Sequence, residues 1–246
     1  MNFSTAVYSY LKVILSIFRS DFITKTSHIT KERRHTLLTM LSDELVKSNL
    51  TMEIVLCGGA VMLMEGERKV TDDLDSVKQM TARQYRLVEK VGIKFNLLYP
   101  DEPTVVPDDW LNDKSYDPAP RNLPYTDYEI FPNLRVSHLT PEAMLASKIQ
   151  ASRLKDYSDI KYWVDSIGVR TREELELLCE MYGVALTVAD AVKEQNDKFS
   201  EFDDGGHDNN DKQYRIAVQK IEQRLSMINR IFSDEDERKG MIPVHK

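Results

Sequence analysis

Residues 54 to 77 read IVLCGGAVMLMEGERKVTDDLDSV, and this stretch decides how the rest of the chain is read. A short apolar run with β character, MEIVLC at 52 to 57, stops at Gly58-Gly59, and a short helix over 60 to 65 is expected to follow. A second strand over 70 to 77 then alternates its side chains, with Val70, Asp72, Leu74 and Ser76 on one face and Thr71, Asp73, Asp75 and Val77 on the other. Asp73 and Asp75 therefore share a face, close enough to share a divalent cation, and oxygen donors suit Mg²⁺ or Mn²⁺. Two glycines before a helix let backbone N–H groups approach a polyphosphate. A phosphate cradle and a metal post are what phosphoryl or nucleotidyl transfer requires.

Outward from this stretch, the chain alternates helix and strand. Leu37, Leu38, Leu41 and Leu45 recur at helical spacing and predict a helix over 31 to 47. Residues 81 to 91 read as another amphipathic helix and 93 to 99, IKFNLLY, as another strand. Seven of the nine prolines lie between Pro100 and Pro132, which predicts a long surface excursion, ended by short strands at 125 to 130 and 134 to 136. Thr140-Pro141-Glu142 is a helix start, with a hydroxyl cap, a proline in the first turn and an early acid. Helical periodicity then runs over 141 to 166, 171 to 181 (opened by the box Thr171 to Glu174), 184 to 198 and 212 to 232. The acidic stretch 200 to 211 is expected to be a loop. The fold class is α+β: a small mixed sheet with flanking helices, followed by a C-terminal helical bundle. The expected divisions are an N-terminal helix or extension at 1 to 30, a core at 31 to 137 and a helical domain at 138 to 246.

Composition bounds the function. The 246 residues carry 33 Lys plus Arg against 40 Asp plus Glu, a net charge of −7, which argues against a sequence-independent nucleic-acid binder. The bases are concentrated at the front end, among Lys12, Arg19, Lys25, Lys31, Arg33 and Arg34, so a local basic contact stays open. Two cysteines, Cys57 and Cys179, give no disulfide framework and no metal spacing, and read as reduced thiols in a cytoplasmic protein. The apolar stretch 6 to 18, AVYSYLKVILSIF, is interrupted by Lys12 and falls short of the ~20 residues of a membrane span, so a docked helix is expected there. None of the five histidines has ligand spacing, and no Ser/His/Asp or Cys/His motif is present.

The order of these elements resembles the nucleotidyltransferase superfamily, whose signature is an apolar residue, Gly, then Gly or Ser, and some ten or more residues later Asp-x-Asp or Asp-x-Glu. Here Cys57-Gly58-Gly59 is followed by thirteen residues and then Asp73-Leu74-Asp75. The run Arg68-Lys-Val-Thr71-Asp-Asp73-Leu-Asp75 looks like the variant in the AbiEii-like (type IV toxin) nucleotidyltransferases and their uncharacterised relatives. Residues 138 to 164, HLTPEAMLASKIQASRLKDYSDIKYWV, are similar to that family's helical motif, with Lys148, Arg153, Lys155-Asp156 and Asp159 at its positions. On one continuous helix Lys155 and Asp159 would each fall within ~20° of Lys148, with Asp156 beside them. Taken alone, such a face is an ordinary surface laced by i,i+3 and i,i+4 ion pairs. The matches cover about 55 to 165, less than half of the chain.

The resemblance implies that NMP passes from an NTP to an acceptor hydroxyl, with RNA, perhaps a tRNA end, as acceptor in a toxin or defence setting. Asp73 and Asp75 would hold the metal, Gly58 and Gly59 shape the cradle, and Lys148 contact phosphate, with Arg68, Thr71 and Arg153 helping to bind substrate. Asp156 would assist deprotonation of the acceptor, with Asp159 or Glu129 as alternatives. A third carboxylate from a later strand would be Asp127 or Glu129. Two other readings use the same fold: NMP transfer to a protein side chain, and a non-catalytic nucleotide-binding or protein-interaction module. An antitoxin or regulatory protein that masks the site is a further expected partner.

Overall fold

The computed structural model describes residues 28 to 100, 102, 104 to 116, 122 to 199 and 208 to 239. The helix expected at 6 to 18 and the acidic residues 200 to 207 lie outside them. Helix α1, Lys31–Lys47, is capped by the Thr30 hydroxyl, which accepts from the Arg33 N–H, and it buries Leu37, Leu38, Leu41 and Leu45 as the spacing predicts. Strand β1, Met52–Cys57, is almost wholly buried because it lies in the middle of a five-stranded mixed sheet. The strand order is β3-β2-β1-β5-β4, with β2 at Leu74–Ser76, β3 at Leu111–Asn112, β4 at Tyr125–Phe131 and β5 at Leu134–Leu139. Helix α2, Gly59–Met64, carries the chain from β1 back to the antiparallel β2, and the register pairs Cys57 with Asp75. Strand β3 runs parallel to β2 and pairs Asp75 with Asn112, while β5 runs parallel to β1 on its other side.

Several sequence expectations are corrected. The strand expected over 70 to 77 shortens to β2, because Thr71 is drawn away to bridge Ile29, each donating its backbone N–H to the other's carbonyl. The strand expected at 93 to 99 is the second half of helix α3, Ala82–Leu98. Val88, Val91, Gly92 and Phe95 form its buried stripe, a helical period that extends through the apparent alternation of IKFNLLY. Gly92 is required there: a Cβ would lie 3.0 Å from the Pro107 carbonyl and 3.1 Å from the Trp110 ring.

That contact overturns the surface excursion as well. Trp110 and Leu111 are fully buried, the Trp110 indole donates to the Val88 carbonyl at 2.9 Å, and the Asn96 amide exchanges two hydrogen bonds with the backbone of Val106. The prolines exclude regular helix, but the loop straps α3 and delivers β3 to the sheet edge.

The fourth correction is the expected continuous helix 141 to 166. Helix α4, Pro141–Ala151, ends at Ser152 in the left-handed conformation (φ 52°), a 3₁₀ turn spans Leu154–Asp156, and α5 restarts at Tyr157–Ile167. Ser152 closes the corner by donating its N–H to the Lys148 carbonyl and its hydroxyl to the Ile149 carbonyl. The remaining helices are α6 (Arg172–Met181, with the predicted capping box), α7 (Val188–Phe199) and α8 (Asp208–Lys239). Residues 208 to 211, expected as loop, are the first turn of α8. One hydrophobic core joins the sheet and α1 to α4, α5, α6 and the later part of α8. β5 runs to Leu139, across the boundary expected at 137/138. No described helix is long and apolar enough to cross a membrane.

Candidate functional site

A cleft of about 670 Å³ opens where the end of β1, strand β2, the turn after β3 and the corner between α4 and α5 converge. Gly58, Gly59, Arg68, Thr71, Asp73, Asp75, Lys148, Arg153, Asp156 and Asp159 all line it. The two motifs, some 90 residues apart in sequence at Arg68 and Asp159, meet there.

The floor is the Gly-Gly turn. Gly58 has φ 62° and ψ −137°, a backbone conformation that L side chains rarely adopt, and it passes close to Asp75. Gly59 has no room for a side chain, since a Cβ would lie 2.6 Å from the Thr71 hydroxyl and 3.3 Å from the Arg68 guanidinium. Thr71 is buried and its hydroxyl donates to the Asp73 backbone carbonyl at 3.1 Å. The motif residues Gly59, Arg68 and Thr71 thus pack on one another and hold the segment that carries the carboxylates.

Asp73 and Asp75 stand half-buried without an ion pair among the described residues. Burial raises the pKa of both above the usual carboxylate range; for Asp75 the Asp73 charge adds to the rise, and hydrogen bonding from the Asn112 side chain opposes it at both. The Asn112 amide donates to Asp73 Oδ2 at 3.0 Å. Cys57 lies buried beside them, and burial together with the Asp75 charge pushes its thiol up to about 12, so it is an inert wall residue.

The opposite wall is a closed ion network. Lys148, only 5% exposed, donates to Asp156 Oδ1 at 2.8 Å and Asp159 Oδ2 at 2.6 Å. Arg153 donates to Asp156 Oδ2 at 2.6 Å, and Arg68 to Asp159 Oδ1 at 2.5 Å. Burial opposes ionisation of Asp156, but the hydrogen bonds and charges of Lys148 and Arg153 prevail and hold its pKa below the usual range. Three cations on two carboxylates leave this wall net positive. Lys155, expected on the stripe with Lys148, is instead exposed at the rim.

Several lining residues carry no sequence signal. Lys114 and Ser115 follow β3, and Lys114, which pairs with Asp109 at 2.7 Å, feels the charges of Asp73 and Asp75 across the cleft. His28 and Asp72 line the entrance, their nearest charged atoms 3.6 Å apart. A two-residue strand such as β3 is too short to show a period, so only its pairing with β2 reveals it.

The third-carboxylate candidates on β4 do not join the cleft. A bulge between Asp127 and Glu129 shifts the register, so the two oppose successive residues of β5, Ser137 and Val136. Asp127 is bonded to Arg135 and Ser137. Glu129 meets His35 of α1 at 2.8 Å and Arg34 at 3.6 Å.

The arrangement fits a divalent cation. Two carboxylates with no cation partner would hold it, and water and substrate oxygens would complete the shell, as Mg²⁺ prefers. Among the described residues no three of His, Cys, Asp and Glu are grouped as a protein-only metal site. In comparisons with family models, curated proteins and solved structures, nothing matches this chain.

Proposed function

We propose that this protein is a divalent-metal-dependent nucleotidyltransferase that moves NMP from an NTP to an acceptor hydroxyl, with an RNA end as acceptor. The observation that carries the reading is the half-buried Asp73–Asp75 pair, left without a cation, facing a net-positive wall across one cleft. A cation bound there would neutralise charge on the triphosphate and on the attacking and leaving oxygens. Asp73 and Asp75 hold it, and the turn at Gly58 and Gly59 leaves space beside them for the phosphates. The exposed head group of Lys155, and those of Lys114 and Arg153 at the cost of their pairs with Asp109 and Asp156, could turn toward phosphate, while Lys148, committed to two aspartates, sets the positive field behind them.

In the transfer, the acceptor oxygen bonds to the α-phosphorus, the bond from that phosphorus to the oxygen bridging to the β-phosphate breaks, and pyrophosphate leaves. Asp156, kept ionised by Lys148 and Arg153, is the carboxylate assigned to receive the hydroxyl proton. Arg68, Lys69, Arg153 and Lys155 are where acceptor phosphates would meet an otherwise acidic chain. A toxin or defence role, with an antitoxin-like partner over the cleft, belongs to the same proposal.

The test is incubation with Mg²⁺, each labelled NTP and total RNA. Label should pass to RNA with wild type and not with Asp73→Ala; transfer undiminished in that variant, or none with wild type, overturns the proposal. NTP binding that calorimetry finds indifferent to Mg²⁺ would favour a non-catalytic module.

A further inference from the structure

Asn112 is 1% exposed, and an amide so deeply buried must have its donors and acceptor satisfied. Its Nδ2 donates to Asp73 Oδ2 at 3.0 Å, and the strand register sets Asn112 directly beside Asp75. Its Oδ1 accepts the Lys114 backbone N–H at 3.1 Å. The amide is thereby oriented at both ends, NH₂ to the Asp73 carboxylate and carbonyl to the turn. Its backbone is fixed as well, because Asn112 pairs with Asp75 in the β2–β3 register and Trp110, two residues earlier, is anchored on α3.

We infer that Asn112 is the positioning residue of the metal post: its amide neutralises part of the repulsion between Asp73 and Asp75, fixes their orientation toward a shared cation, and sets the turn that brings Lys114 and Ser115 to the same cleft. The inference rests on the reading of Asp73 and Asp75 as cation ligands and adds the group that holds them in place. Partners of this kind change metal affinity without touching the metal, typically by about 10–100-fold. An amide suits the position because it donates to Asp73 beside Asp75 and carries no charge of its own, so the post keeps its demand for a dication. A lysine there would satisfy the pair permanently.

The experiment is Mn²⁺ binding to the full chain without nucleotide, followed by electron paramagnetic resonance and calorimetry, for wild type, Asn112→Ala, Asn112→Ser and Asp73→Ala, with circular dichroism on each. Wild type should bind, Asp73→Ala should not, and Asn112→Ala should bind about 10–100-fold more weakly, with Asn112→Ser between it and wild type because a hydroxyl keeps one donor. Wild-type affinity in a folded Asn112 variant overturns the positioning role while leaving the metal post standing. Absence of Mn²⁺ binding by wild type overturns both. If Asn112→Ala does not fold, Asn112→Ser decides: a lowered melting temperature with unchanged Mn²⁺ affinity makes Asn112 merely structural and overturns the inference.

Discussion

The cleft holds two pairs of aspartates that the fold treats in opposite ways. Asp156 and Asp159 are deeply buried, yet Lys148, Arg153 and Arg68 meet every one of their four oxygens. Asp73 and Asp75 are less buried and, among the described residues, have no ion pair; Asp73 receives a neutral amide. The pKa directions record the difference, lowered at Asp156 and raised at Asp73 and Asp75. Burial alone would raise all of them, so the sign is decided by the partners. A carboxylate pair whose charge is already answered is held ionised in place; the pair unanswered among the described residues is the one proposed to take a cation.

The comparison can be broken at four places. The largest effect is expected for Asp73→Ala or Asp75→Ala, which should lower NMP transfer by about 10³-fold or more, since a metal ion supplies several kcal/mol of transition-state stabilisation. Steady-state rates with Mg²⁺ saturating for wild type provide the check. Next is Lys148→Met, which leaves two buried aspartates without their shared cation and should cost about 3–5 kcal/mol of stability in urea unfolding. A cost below about 1 kcal/mol would place that wall with ordinary surface ion pairs.

Third, Asp75→Asn should stabilise the metal-free protein by about 0.5–2 kcal/mol at neutral pH while destroying activity, the trade-off expected where an active site stores repulsion. The sign follows from linkage. For Asp73 and Asp75, whose folded pKa values are raised, the destabilisation is full above those values and is relieved as pH falls through them toward the ordinary carboxylate range. For Asp156 the contribution is stabilising above the ordinary value and is lost as pH falls through its depressed one. Metal-free wild type should therefore gain stability on mild acidification and lose it on further acidification; Asp75→Asn should flatten the first limb and Asp156→Asn the second, as read by melting temperature against pH. The smallest effect sharpens the comparison from outside: Asp127→Ala, which breaks an exposed pair between β4 and Arg135 of β5, should leave transfer within about twofold.

Legibility in the sequence followed the range of the forces involved. The α1 stripe, the buried β1, the caps at Thr140 and Thr171 and the Gly-Gly turn were all readable, because each depends on residues within a few positions of one another. The sense of 93 to 99 was misread because IKFNLLY satisfies both periods, and what chooses helix is the fit of Gly92 against a tryptophan eighteen residues later. Lys148, Asp156 and Asp159 are legible as one linear motif, but a continuous helix would not let them pair with one another. Along a continuous helix, eleven residues separate Lys148 from Asp159 by about 16 Å, beyond the reach of a lysine and an aspartate. The left-handed turn at Ser152 folds that distance away and brings the two side chains to 2.6 Å.

The sequence by itself determined the order of strand, glycine turn and paired aspartates, and hence which carboxylates are proposed to hold a cation, because alternation along a strand and the freedom of glycine are local properties of the backbone. Only the tertiary structure decided which aspartates remain without a cation. That outcome depends on where Lys148, Arg153 and Arg68 end, on a buried asparagine brought in by a two-residue strand, and on a bulge that turns Asp127 and Glu129 toward other partners. Charge compensation acts between side chains that are close in space, and the chain's closures set those distances.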